Sequence, residues 1–104
     1  MKQLVVSGGA RADLREIRQF STRRWGRDQA RDYIEMIIAR FAWIMVNAER
    51  GSRYDRFMPG LRRVNVRRHA IHYRDLPEMI EISRVLHQRR DHARVFADQR
   101  DDGA

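Results

Sequence analysis

At 104 residues and 42 % hydrophobic content, the chain is sized for one domain with a single modest core. Its 22 Lys+Arg against 14 Asp+Glu give a formal net charge of +8, which points to an anionic partner: nucleic acid, a membrane surface or an acidic protein. Cysteine is absent, which excludes disulfides, a thiolate nucleophile and a cysteine metal site and fits a reducing, cytosolic setting. Lys2 is the only lysine, so the positive charge is almost all guanidinium, suited to bidentate contact with phosphate or carboxylate.

The chain opens on "KQLVVS", a β-branched run that predicts a short strand closed by "SGG", with Ser7 available as a helix N-cap. The apolar run here is too short for a signal peptide, and no later stretch approaches membrane-spanning length, so a cytoplasmic protein is expected. Ala10, Leu14, Ile17 and Phe20 then recur at helical spacing, predicting an amphipathic helix from about residue 9 to the Trp25-Gly26 turn. A second helix follows, marked by Ala30, Ile34, Ile37, Phe41 and Ile44, with Tyr33, Ile38 and Met45 widening the stripe, and runs to about Asn47. Residues 48–60 form a loop punctuated by Gly51, Pro59 and Gly60.

Three period-2 segments come next: "LRRVNVRR", "HAIHYRD" and "EMIEISRVLH", the last two separated by a turn over residues 75–78. Short links require an antiparallel meander, since parallel crossovers need a dozen or more residues each. The predicted fold is α+β: an N-terminal strand and a two-helix hairpin packed on a small antiparallel sheet, in the order β-α-α-β-β-β. It forms a single domain over residues 1–104, with residues 97–104 a disordered tail.

Alternation turns Val64, Val66, Ile71, Tyr73, Ile80 and Ile82 toward the helices, and Arg63, Arg67, His72, Arg74, Glu81 and Ser83 to the opposite face. Continued past Ser83, the same count turns Arg84 and Leu86 inward, so Arg84 lies at the rim or is re-aimed by a bulge. His87, Arg89, Arg90 and His92 extend the basic surface beyond the last strand. The expectation is one apolar face under the helices and one open, basic face.

Little enzymatic chemistry fits this pattern. His69 and His72, three apart in a strand, point to opposite faces, so neither a metal site nor a cofactor is expected. "SGGA" lacks the lysine and spacing of a phosphate-binding loop, and Ser83 has no nucleophile-elbow context. A metal-free ribonuclease is the exception: a general base, a general acid and cations could come from His72, His87, Glu81, Arg63, Arg67 and Arg84.

The segments "ADLREIRQF", "WGRDQARDYI", "GLRRV", "HAIHYR" and "ISRVLHQRRD" resemble the ParE branch of the RelE/ParE superfamily of bacterial type II toxins, over residues 4–96. The RVLH-x-x-RD ending is the most specific of these, and the family fold agrees with the order derived above. The resemblance implies a toxin bound and neutralised by a small antitoxin, with which it forms a hetero-oligomer, and a DNA gyrase that it poisons. RelE-type relatives instead cut mRNA on the ribosome with lysines, arginines and a Tyr or His near the C-terminus. Here no lysine stands in the sheet and no tyrosine follows Tyr73, while arginines cannot act as a base at neutral pH. His87, with His72, Arg84 and Arg63, sustains the alternative of a ribosome-dependent endonuclease; a non-catalytic nucleic-acid-binding module is a third reading. The target- or antitoxin-binding residues implied are Arg63, Arg67, His72, Arg74, Arg84, His87, Arg89 and Arg90.

Overall fold

A computed structural model describes residues 2–103, with side chains as far as residue 98. Strand β1 (Gln3–Val6) leads into helices α1 (Gly8–Trp25) and α2 (Arg27–Asn47), and a single 3₁₀ turn (Ala48–Arg50) follows. Then come strands β2 (Ser52–Arg53), β3 (Leu61–Val66), β4 (His69–Asp75) and β5 (Met79–His87), and helix α3 (His92–Gly103). The expected α+β order is present, with two additions: the two-residue β2 and α3. The frayed tail expected over residues 97–104 begins inside α3; Ala104 and the side chains of residues 99–103 lie outside the described residues.

Local chemistry explains the helix ends. Ser7 caps α1, its hydroxyl accepting the Ala10 N–H at 3.0 Å, and the same hydroxyl donates to the Ser83 carbonyl at 2.7 Å, fixing the helix start to β5. Gly26, at φ 94°, adopts the left-handed conformation that lets α1 stop and α2 begin after one residue. Asp91 begins α3, accepting the Arg94 N–H at 3.1 Å.

The five strands lie in the order β1-β5-β4-β3-β2. The meander β3-β4-β5 is antiparallel, as expected, while β1 joins the outer edge of β5 in parallel, Leu4 opposite Ile80 and Val6 opposite Ile82. Helices α1 and α2 cover one face. Ile17, Ile37, Phe41 and Ile44 pack there against Val64, Val66, Ile71, Tyr73, Ile80, Ile82 and Val85. The Tyr73 hydroxyl, buried in this core, donates to the Ala48 carbonyl at 2.6 Å and accepts the Gly51 N–H at 3.0 Å. A Cβ on Gly51 would collide with that hydroxyl, so glycine is required there by close approach.

The second face is not open. Leu61, Leu86 and Phe96 form a smaller core on it, flanked by Tyr54, Phe57, Met58 and Val95, so α3 and residues 54–58 roof the surface expected to be wet. A bulge in β5 reassigns the side chains: His72 stands opposite Arg84 but Tyr73 opposite Ile82, leaving Ser83 as the extra residue. Val85 therefore enters the helix-side core and Leu86 the smaller one, the reverse of strict alternation. Among the described residues no helix is long and apolar enough to cross a membrane.

Candidate functional site

The expected basic residues fall into two groups. On the roofed face, Arg84, Arg74, Arg63 and His72 are already engaged within the molecule. The Arg84 guanidinium grips the Asp13 carboxylate through Nε and Nη2, both at 2.8 Å, and Asp13 Oδ2 also accepts the Val85 backbone N–H at 2.9 Å. The reason lies in the sheet edge. β1 ends opposite Ile82, so the N–H groups of β5 beyond that point need another acceptor, and the buried Asp13 of α1 supplies it. That carboxylate holds the Arg84 guanidinium pKa above its ordinary value. The bulge thus turns Arg84 out of the helix-side core, and its guanidinium is held by Asp13.

Arg74 pairs with Glu81 at 3.0 Å, and Glu81 also accepts from Ser83 at 3.0 Å. Arg63 lies over the Tyr54 ring, 4.5 Å from its centroid. His72, expected on an exposed face, is fully buried among Tyr54, Phe57, His92 and Phe96. Its Nε2 lies 2.9 Å from His92 Nδ1, and His92 Nε2 lies 2.8 Å from the His87 carbonyl. A carbonyl only accepts, so His92 Nε2 carries the proton; with His92 neutral, its Nδ1 accepts from His72 Nε2–H. Among the described residues His72 Nδ1 is then left without a hydrogen-bond partner. Burial, reinforced by His92, Arg63 and Arg84, pushes the His72 pKa down to about 3, so this imidazole is neutral at physiological pH and closed to a substrate.

The second group sits at one end of the sheet, where the β3-β4 turn meets the segment after β5. Arg67, at φ 49°, and Arg68 form the turn. Gln88 fastens the two segments together, its N–H donating to the Arg68 carbonyl and its side-chain amide to the Arg67 carbonyl, both at 2.9 Å. Arg67, Arg68, His87, Arg89 and Arg90 are all exposed around this tie. His87 lies on the helix side of the sheet because of the bulge, facing His69 with ring centroids 5.3 Å apart. The sequence placed His87 and His72 on one face; the structure puts them on opposite faces.

His69 is held by the Tyr33 hydroxyl, 2.7 Å from its Nδ1, and burial, followed by the nearby His87, lowers its pKa to about 4. Next to it a groove of about 310 Å³ runs between α1 and β5, with Ile17, Phe20 and Trp25 along its apolar wall and Arg68, His87 and Arg90 along its basic rim. Phe20 and Trp25, 55 % and 42 % exposed, meet edge to face, and Arg68 lies over the Trp25 ring. Among the described residues no group of three or more His, Asp or Glu is placed to hold a metal ion.

Sequence reasoning missed Asp13, Arg68 and Gln88 as members of these clusters and set His92 on the basic surface, whereas it is buried against His72. Asp13 in mid-helix carries no local mark of burial. Arg68 and Gln88, by contrast, flank residues already singled out, and a tie between neighbouring turns was the available signal.

Comparison with known proteins gives a consistent result. A family model described as the ParE toxin of the type II toxin-antitoxin system, parDE, matches residues 4–92. Toxin ParE1 of Mycobacterium tuberculosis is 35 % identical over 88 residues, covering 84 % of this chain and 90 % of the relative. Toxin ParE1 of Caulobacter vibrioides is 36 % identical over 88 residues, covering 85 % and 91 %. A chain from the solved structure titled chromosomal ParDE TA system from P. aeruginosa superposes with a TM-score of 0.74 at 21 % identity, covering 84 % of this chain and 96 % of that one, a likeness of fold.

Proposed function

The chain belongs to the ParE toxin family of type II toxin-antitoxin systems, and from that membership we propose that it arrests growth by poisoning DNA gyrase and is neutralised by a cognate antitoxin. The observation that carries this reading over an mRNA endonuclease is the separation of the histidines. His72 is enclosed beneath α3 and His87 lies on the other face, so these two do not converge on one substrate position, and His69, which His87 does face, is already bonded to the Tyr33 hydroxyl. Arg84, which a nuclease would use to offset charge on the reacting phosphate, is committed to Asp13, and Arg63 lies over the Tyr54 ring.

The exposed basic end and the adjoining groove suit docking. An acidic, amphipathic antitoxin segment laid along the groove would set apolar side chains against Phe20 and Trp25 and carboxylates against Arg68 and Arg90. Folding of such a segment onto the toxin would cover the surface offered to the target.

Substitution of His87 separates the two activities. Expression of His87→Ala is expected to retain growth arrest and DNA-damage signalling, with no new mRNA ends in either the variant or the parent. Loss of growth arrest together with loss of mRNA cleavage present in the parent would replace this reading with the ribosome-dependent nuclease.

A further inference from the structure

We propose that the paired turns bearing Arg67, Arg68, Arg89 and Arg90 are a binding site for the phosphate backbone of duplex DNA, used when the toxin sits on gyrase; the second half of this statement rests on the gyrase reading above. Ion pairing elsewhere consumes guanidiniums: Arg84 with Asp13, Arg74 with Glu81, Arg53 with Asp55, and Arg31 with Asp28 and Asp32. Arg67, Arg68, Arg89 and Arg90 make no ion pair among the described residues. Arginines without an ion pair among the described residues occur elsewhere on the surface too, Arg15, Arg18, Arg27 and Arg50 among them, but these four are gathered where the β3-β4 turn meets the segment after β5.

The concavity between the turns, lined by Arg67, Arg68, His87, Gln88 and Arg89, offers donors and almost no acceptors. Guanidiniums only donate. The Gln88 side-chain NH2 donates to the Arg67 carbonyl, which leaves its amide oxygen as the one side-chain acceptor besides His87 in this lining. His87 Nδ1 accepts the Arg89 N–H at 3.1 Å, so the proton of neutral His87 rests on Nε2, which is left free to donate. The two hydrogen bonds from Gln88 hold one turn against the other, so the four arginines are carried on backbone segments tied to one another.

This chemistry favours a row of phosphates over an acidic peptide. A peptide needs apolar anchors, and those lie around the corner against Phe20 and Trp25, whereas the concavity between the turns is walled by charged and polar side chains. Duplex DNA presents a charge about every 1.7 Å of axis, enough to engage all four guanidiniums at once. The platform is built from a hairpin tip and the segment after β5 rather than from a helix that could lie in a groove, so binding is expected to be independent of sequence. A gyrase complex halted at cleavage necessarily contains such a duplex.

The test uses the full-length protein and a labelled mixed-sequence duplex of about 20 base pairs, with affinity measured across a salt series. Four engaged phosphates predict a slope of log K against log salt of about −3 to −4, at ~0.9 per phosphate. Arg67→Gln/Arg68→Gln/Arg89→Gln/Arg90→Gln should flatten that slope to near zero, whereas Arg15→Gln/Arg18→Gln/Arg27→Gln/Arg50→Gln, with the same loss of charge elsewhere, should keep it within about one unit. Should the first variant fail to fold, Arg89→Gln/Arg90→Gln alone should roughly halve the slope. Absence of duplex binding by the parent at low salt, or equal slopes in the two charge-matched variants, would overturn the site. Gyrase assays run in parallel keep the two ideas apart. A parent protein that binds duplex with the expected slope but traps no cleaved DNA defeats the gyrase reading and leaves the site standing. A platform variant that traps cleaved DNA as well as the parent defeats the site's role on gyrase and leaves the gyrase reading standing.

Discussion

The two faces of the sheet are covered in different ways. On one, a long helical hairpin buries aliphatic side chains at regular spacing against alternating strand residues, and few polar atoms intrude. On the other, a single short helix and a loop close over a small core that includes a neutral histidine, a neighbouring histidine and one aromatic ring of α3. The first face holds the fold together, while the second depends on a handful of specific contacts, so the two should fail differently.

The largest effect is expected where a buried charge joins them. Asp13→Ala would strand the Arg84 guanidinium and the Val85 N–H together and should cost about 3–5 kcal/mol, read by chemical denaturation. A loss below about 1 kcal/mol would mean that solvent already reaches the pair.

Next comes a direct contrast between the faces. Ile37→Ala, in the hairpin core, should lower global stability by about 2–5 kcal/mol and weaken amide protection throughout the sheet. Phe96→Ala should instead release α3 locally, with fast exchange from residue 92 onward while β3, β4 and β5 stay protected. Uniform loss of protection in both variants would make the molecule one cooperative unit and dissolve the distinction.

Acid should act through the histidines. His72 and His69 are held at about 3 and about 4, below the ordinary 6.5, so below that value the unfolded chain binds protons that the folded chain does not. Stability is therefore full above pH ~6.5 and declines as the pH falls toward 4, with His72 contributing about 2 kcal/mol of the loss at pH 5. His72→Phe, set among Tyr54, Phe57 and Phe96, should remove that share of the pH dependence. An unchanged pH profile in this variant would show that His72 is not the buried neutral group described. The smallest effect is expected at Ser7→Ala, about 1 kcal/mol for the lost helix cap and the tie to Ser83.

The same contrast governs what can be read without coordinates. The hairpin is legible because Ala30, Ile34, Ile37, Phe41 and Ile44 repeat at helical spacing, and the meander because alternation in its three strands is broken by short turns. The parallel docking of β1 on β5 is a pairing between residues some 76 apart, Leu4 with Ile80, for which no local signal exists. The bulge at Ser83 is one extra residue with no compositional mark, yet it reverses the sides taken by Arg84, Val85 and Leu86 and parts His87 from His72. Helix α3 escapes notice because its described apolar contribution to the core is only Val95 and Phe96 among charged residues. Its cap, Asp91, and that apolar pair were nonetheless visible in "DHARVF". Arg67 was placed by strand alternation and Arg89 and Arg90 by charge past the strand end, and the structure adds Arg68 and Gln88 to make a joined surface of them.

The proposed docking on gyrase, as against cutting of RNA, is tested most directly with purified components. Supercoiled plasmid, gyrase and ATP are incubated with the protein, with and without its antitoxin, and the DNA is resolved after protein denaturation. The account predicts cleaved plasmid that accumulates with the toxin and disappears with the antitoxin. Intact, normally supercoiled plasmid, alongside fresh cleavage ends in ribosome-bound mRNA, would contradict it.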